Sequence, residues 1–347
     1  MRKSLLLLAT VGSLLALLVF CTGKFGVSAA PAPGASGYHL IKTIPVPGDE
    51  GWDYIFVDSD ARRVYISHGS HVVVMNADTY AIEGDIPDTA GVHGIAVAHE
   101  FNRGYISAGR ASTAVIFDLK TLKTLGTVKT DANPDAIIYD GVSKRVFTFN
   151  GRGKNATAIN ADDGTVVGTI ALNDKPEFAV ADGKGTIFDN LEDSSQLVHI
   201  DARKLAELHR WPLAPCKSPS GLAMDEKTRR LFAVCGDKVS AVVNADTGKV
   251  VATPAICDGP DAAGFDPSAG YFFASCGDGN LTVVHEDSAD KYTVVENVPT
   301  KRSARTMGLD LKTHNIFLPS AEFDPPAPGE RRGKIKPGTF AILVVGK

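Results

Sequence analysis

Along this chain short apolar runs alternate with clusters of Gly, Asn, Asp and Pro, and one compound pattern returns seven times. It opens as "GWDYIFVD" at Gly51, "GVHGIAVA" at Gly91, "NPDAIIYD" at Asn133, "KPEFAVAD" at Lys175, "SPSGLAMD" at Ser218, "GPDAAGFD" at Gly259 and "SARTMGLD" at Ser303. The spacing is about 40 to 44 residues, the range in which self-similarity signals a repeat architecture. A turn and a second apolar run follow each opening, as in "RVYIS" at Arg63, "RVFTF" at Arg145 and "YFFAS" at Tyr271. A third run closes on Asn or Asp, as in "VVVMNADT" at Val72 and "SAVVNADTG" at Ser240. Runs this short, rich in β-branched and aromatic residues and bounded by turn formers, predict strands and leave no room for a long helix. Four strands per repeat, repeated radially, predict an all-β, seven-bladed β-propeller of four-stranded antiparallel blades.

The two ends of the chain complement each other. The last repeat has a third run, "TFAILVVG" from Thr339, and then the chain stops without a fourth. Upstream of the first repeat lies one orphan run, "YHLIKTIPV" from Tyr38 to Val46, resembling the fourth runs "TLGTVKT" at Thr124 and "VVGTIAL" at Val166. The N-terminal strand, residues 38–46, is therefore expected to pair with the C-terminal blade and close the ring, which removes two exposed sheet edges. The longest interruption, Ala321 to Gly338, separates the second and third strands of that blade. It reads as an irregular flap over the channel mouth, with Arg331, Arg332, Lys334 and Lys336 supplying positive charge.

Ahead of the repeats, Arg2 and Lys3 precede an apolar run from Leu5 to Phe20, and small residues follow through Ala29. This reads as a signal peptide over 1–29, then a flexible leader over 30–37 and a single domain over 38–347. The apolar run is shorter than the ~20 residues that span a bilayer, and no later segment is long enough. A lipid anchor on Cys21 is disfavoured by the bulky Phe20 before it. Export to the periplasm or the medium follows as the expected location, with the protein a monomer. The chain carries 36 Lys and Arg against 40 Asp and Glu; losing Arg2, Lys3 and Lys24 leaves 33, a net charge of −7. That balance argues against bulk nucleic-acid binding, which needs a positive surface.

Four cysteines remain beyond the signal, in the fifth and sixth repeats. Cys216 and Cys257 lead into the first strands, and Cys235 and Cys276 end the second strands. In an exported protein an even count at matched positions points to disulfides. Cys216–Cys235 and Cys257–Cys276 lie on the same face of their blades; a Cys235–Cys257 link between repeats is the rival pairing. Four-thiolate zinc binding lacks the CxxC spacing it normally uses.

The repeated "hydrophobic-Asp, Arg-Val-Tyr-Ile, Val-Ile-Asp-type, Thr-Val" cadence over Gly51 to Pro299 resembles the YVTN-repeat, YncE-like propellers of exported bacterial proteins. The resemblance implies the fold and, since members are largely binding or interaction proteins, a binding role. The wider propeller class includes lactonases, lyases and quinoprotein subunits, so the fold alone selects no activity.

Aligning the seven openings places a polar residue third in each: Asp53, His93, Asp135, Glu177, Ser220, Asp261 and Arg305. In a propeller these form a ring at the channel mouth. Polar channel mouths are also common as plain solvated strand ends. Clustered carboxylates raise one another's pKa or recruit a cation. The expected function is a ligand- or protein-binding scaffold for a small molecule or an exported protein, with Arg110 and Arg152 on neighbouring loops able to meet an anionic group. The alternative is a metal-assisted lyase or lactonase at the same mouth, with His93 as general base and His68, His93, Asp53 and Asp135 holding a divalent cation. Trp52 and Tyr54 flank Asp53 as a candidate aromatic wall, at least one of them expected between blades. No G-x-S-x-G, H-E-x-x-H or phosphate-binding glycine loop is present.

Overall fold

A computed structural model describes residues 35–327, 329 and 333–347. The signal segment, Cys21, most of the leader, Arg331 and Arg332 lie outside the described residues. Seven four-stranded antiparallel sheets make up the chain, each meandering from an inner first strand to an outer fourth. The fourth blade is typical: Pro176–Ala181, Thr186–Leu191, Gln196–Asp201 and Ala206–Pro212. In the seventh blade the order is Gly308–Leu309, Ile316–Ser320, Ala341–Gly346 and then the N-terminal strand His39–Pro45. His39 faces Gly346 and Pro45 faces Ala341, so the ring closes by the strand pairing expected from the orphan run. The leader is tied down at its end: Ser36 is buried and its N–H donates to Glu296 at 3.0 Å. Among the described residues no helix is long and apolar enough to cross a membrane.

Strand alternation sends successive side chains to opposite faces, and here both faces of every blade are covered. In the first blade Val64 and Ile66 pack with Phe317, Ile342 and Val344 of the seventh, while the intervening Tyr65 packs with Ile106 and Phe117 of the second. The same rule repeats around the ring, giving an apolar cluster at each blade–blade interface. The core is thus a circle of interfaces rather than one central mass.

The aspartate that ends most first strands turns the chain. Asp58, Asp140, Asp225 and Asp266 are buried and accept backbone N–H bonds from the residues just beyond them. On that face they also staple blades together. His99 of the second blade reaches Asp58 of the first at 3.2 Å, and Arg62 of the first reaches Asp310 of the seventh at 2.7 Å. Arg229 reaches Asp182 at 3.2 Å and His314 reaches Asp266 at 2.8 Å in the same way.

Cys216–Cys235 and Cys257–Cys276 are bonded, with Cα separations of 5.5 and 5.8 Å, so the rival inter-repeat link does not form. Each closes a loop with a sequence separation of 19. A loop of that size limits the unfolded chain by about 3 kcal/mol. Replacing Cys216 and Cys235 together by Ser is expected to lower unfolding stability by about that much in a urea titration; an unchanged midpoint would contradict it.

The long interruption in the seventh blade is more ordered at its base than its Pro and Gly content suggests. Asp324 N–H donates to Lys334 and Lys336 N–H to Glu322, and Phe323 bridges to Ile335 as in a short ladder. Its apolar residues explain the order: Phe323 lies 5.9 Å from Trp52, and Ile335 packs on the cluster between the seventh and first blades.

Candidate functional site

First strands start on the face that carries the connections between second and third strands, because the start of strand one pairs with the end of strand two. Val92 faces Ala108, Pro134 faces Asn150 and Pro260 faces Cys276. All seven ring positions are half-buried on that face. Their backbones are pinned from behind by small polar residues on the otherwise apolar second strands. Asp53 N–H donates to Ser67 Oγ at 2.8 Å, Ser107 Oγ donates to the Asp135 carbonyl at 2.5 Å, and Ser275 Oγ donates to the Arg305 carbonyl at 2.6 Å. Asn190 Nδ2 donates to the Ser220 carbonyl at 2.8 Å. The "YIS" and "FAS" ends of the second strands carry this signal, which shows only once the ring is known.

Charged members of the ring fall into two connected networks, one centred on Asp53 and one on Lys175. His93 Nδ1 lies 2.6 Å from Asp53 Oδ2 and 3.6 Å from Asp135 Oδ1. One donor atom from each of these three residues lies within 4.8 Å of the others. Arg305 reaches Asp53 Oδ1 at 3.2 Å and also pairs with Asp261. Lys175, which repeat alignment alone did not mark, pairs with both Glu177 and Glu192. Ser220 instead donates to the Pro260 carbonyl at 3.0 Å.

These contacts leave negative charge in excess between Asp135 and Glu177. Burial raises the Asp135 carboxyl to about 6, the nearby imidazole of His93 opposing and the Asp53 charge adding to the rise. Glu177 is pushed up to about 8 by burial and then by Asp135, with Lys175 pulling the other way. Burial by itself would lower His93, but its bond to Asp53 and the charges of Asp135, Asp53 and Glu177 outweigh it, so the ring holds its proton more tightly. Tyr54 is pushed well up by burial and then by the same acids, Asp135 foremost.

His93 has room on its other side because of a glycine. A Cβ on Gly109 would lie 2.6 Å from His93 Nε2 and 3.2 Å from Asn133 Oδ1. Gly109→Ala is expected to force the imidazole out of its present position against Asp53 and shift its pKa, read by NMR titration. An unmoved His93 pKa would contradict this packing.

Other sequence candidates sit apart from this cluster. His68 is fully buried; its Nδ1 lies 3.1 Å from His71 Nε2, and its ring stacks on Phe340 at 4.4 Å. It therefore does not join Asp53, His93 and Asp135 as a fourth ligand. Arg110 and Arg152 are exposed on the loops of the second and third blades and have no ion pair among the described residues. The two aromatics flanking Asp53 diverge: Trp52 packs between blades, 5.2 Å from Phe340, while Tyr54 meets Phe178 of the fourth blade at 5.2 Å.

No family model matches the chain, and no curated protein matches it either. Solved structures do. A structure described as U3-55K superposes with a TM-score of 0.75 at 9% identity, covering 90% of this chain and 99% of that one. A chain of the Kuenenia stuttgartiensis hydrazine synthase gives 0.67 at 15% identity, covering 79% and 94%. A chain of a mitotic checkpoint complex gives 0.74 at 13% identity over 100% of both. At these identities the likeness is one of fold: a seven-bladed propeller resembling WD40 and hydrazine synthase propellers.

Proposed function

We propose that this chain is an exported ligand-binding propeller of the YVTN-repeat type that takes a positively charged group at its polar mouth, on the Asp135–Glu177 side of the ring. The observation that carries the reading is the charge imbalance there. Asp53 and Asp261 have Arg305, and Glu177 and Glu192 share Lys175, yet the carboxyls of Asp135 and Glu177 are raised to about 6 and about 8. Carboxyls that hold protons this far above their ordinary range support binding of an external cation in their place. Arg110 and Arg152, outside the ring, suit an anionic group on the same ligand.

Thermal-shift screening of residues 30–347 against divalent metal ions and primary diamines tests this. A stabilising compound is expected whose effect disappears in Asp135→Asn, with His93→Ala weakening it. A panel without a single stabilising member would count against the reading.

A second reading is supported by the three donor atoms of Asp53, His93 and Asp135 within 4.8 Å of one another, a set suited to a borderline or hard divalent ion. On that reading the protein is a metal-assisted lyase or lactonase. The second reading is distinguished by a stoichiometric metal that His93→Ala removes.

A further inference from the structure

Beneath the charged ring the channel changes character. Tyr54 and Phe178, from the first and fourth blades, meet with ring centroids 5.2 Å apart at 62°. On their far side a chamber of about 590 Å³ runs toward the opposite face, where Glu226 and Leu311 line its outer end. None of the charged ring residues lines it. Its wall is built from the first strands of four neighbouring blades and of the seventh, with Phe56, Val97, Ile138, Val180 and Leu309 among its residues. These five side chains are only half-buried, although they belong to the innermost strands.

We propose that this chamber is a second binding site, for an uncharged aromatic molecule. The volume lies within the roughly 300–1,000 Å³ of ordinary small-molecule pockets. Tyr54, Phe56, Tyr139 and Phe178 all line it, and aromatic rings of this kind favour edge-to-face or offset contact with a flat guest. Glu226 is the one acidic or basic side chain in the lining, and it stands at the outer end, so a charged guest would lose its hydration without gaining a partner. The inner edges of the first strands belong to no ladder, because each sheet is confined to its own blade. Their N–H and C=O groups can meet one or two polar atoms on the guest. The site is separate from the mouth, and its occupancy does not depend on the cation reading.

Fluorescence titration with N-phenyl-1-naphthylamine, an uncharged aromatic probe, tests the proposal on residues 30–347. Saturable binding of one probe per chain is expected. Val97→Arg and Ile138→Arg, each placing a charge in the chamber, should weaken it tenfold or more. Leu125→Arg, which removes an exposed apolar side chain on an outer strand, should leave it unchanged. Circular dichroism and melting curves establish that each variant is folded. Should either chamber variant misfold, Val180→Phe, which narrows the chamber without adding charge, serves in its place and should also weaken binding. Full-strength binding in a folded chamber variant, loss of binding in Leu125→Arg, or no saturable binding at all would overturn the assignment.

Discussion

A chain that starts at Gly48 is expected to lose its cooperative unfolding transition. The missing strand His39–Pro45 pairs with Ala341–Gly346, a strand whose six residues are all buried. Its loss would expose that edge, an open template for pairing with other chains. The segment also supplies packing on both sides of the seventh blade: Ile44 and Val46 to the cluster shared with the first blade, and Tyr38 to the cluster shared with the sixth. Burial of side chains of this size contributes about 1.5–3 kcal/mol each. Three of them, with the ladder, approach the whole stability of roughly 5–15 kcal/mol typical of a folded domain. Differential scanning calorimetry should show no sharp endotherm, or aggregation at low temperature. A truncated chain that melts like the intact one would mean that the ring does not depend on this closure.

Replacing Asp189 is expected to stabilise the protein, an unusual direction for a core substitution. Asp189 is completely buried on the second strand of the fourth blade, and neither carboxyl oxygen has a hydrogen-bond partner among the described residues. Corresponding positions in the other six blades are Ile66, Ile106, Thr148, Ala233, Ala274 and Leu318, none of them ionisable. Burial first, and then the charges of Glu177 and Asp174, push its pKa far above the ordinary carboxylate value. The folded state therefore keeps a proton that the unfolded chain has released at neutral pH. Stability from this group is complete below the unfolded pKa of about 3.9 and falls as pH rises toward the folded value. Asp189→Val should raise unfolding stability near pH 3 by about 2 kcal/mol, the scale for an unpaired buried polar group, because both states hold the proton there and only the unpaired carboxyl is relieved. The gain should be larger at pH 7, where the folded wild type must also keep a proton that its unfolded chain has released. Urea titrations at the two pH values measure this, and an equal loss of stability at both would show that the carboxyl is usefully bonded.

The fold was legible because each repeat states the same instruction. Polar opening, apolar run, Asp turn and second run set strand lengths and spacing, and the chain's mismatched ends gave away the closure. Tyr65 between Val64 and Ile66 shows the alternation that packs both faces of a blade. The ring positions were legible for the same reason, since alignment alone brings Asp53, His93 and Asp135 to one level. Partner choice was not. Lys175 lies outside the aligned column, and whether it pairs with Glu177 depends on side-chain reach across a curved surface. His68 aligns with the mouth, yet it turns inward onto Phe340, because an apolar slot beside His71 accepts its ring. The flap read as irregular from its composition, whereas two apolar residues, Phe323 and Ile335, anchor its base. Asp189 sits in an apolar run with no sequence mark of its environment.

Whether the mouth accepts a positive charge from outside the chain is decided by calorimetric titration of residues 30–347 with Mn²⁺ and, separately, with 1,4-diaminobutane at pH 8 and pH 5. Cation binding requires ionised carboxylates, so affinity should rise with pH as Asp135, at about 6, and Glu177, at about 8, lose their protons. One of the two probes is expected to bind once per chain at pH 8, at least tenfold more weakly at pH 5, and at least tenfold more weakly in Asp135→Asn. No saturable heat from either probe, or binding that neither the pH nor the substitution alters, would contradict a cation site at this mouth.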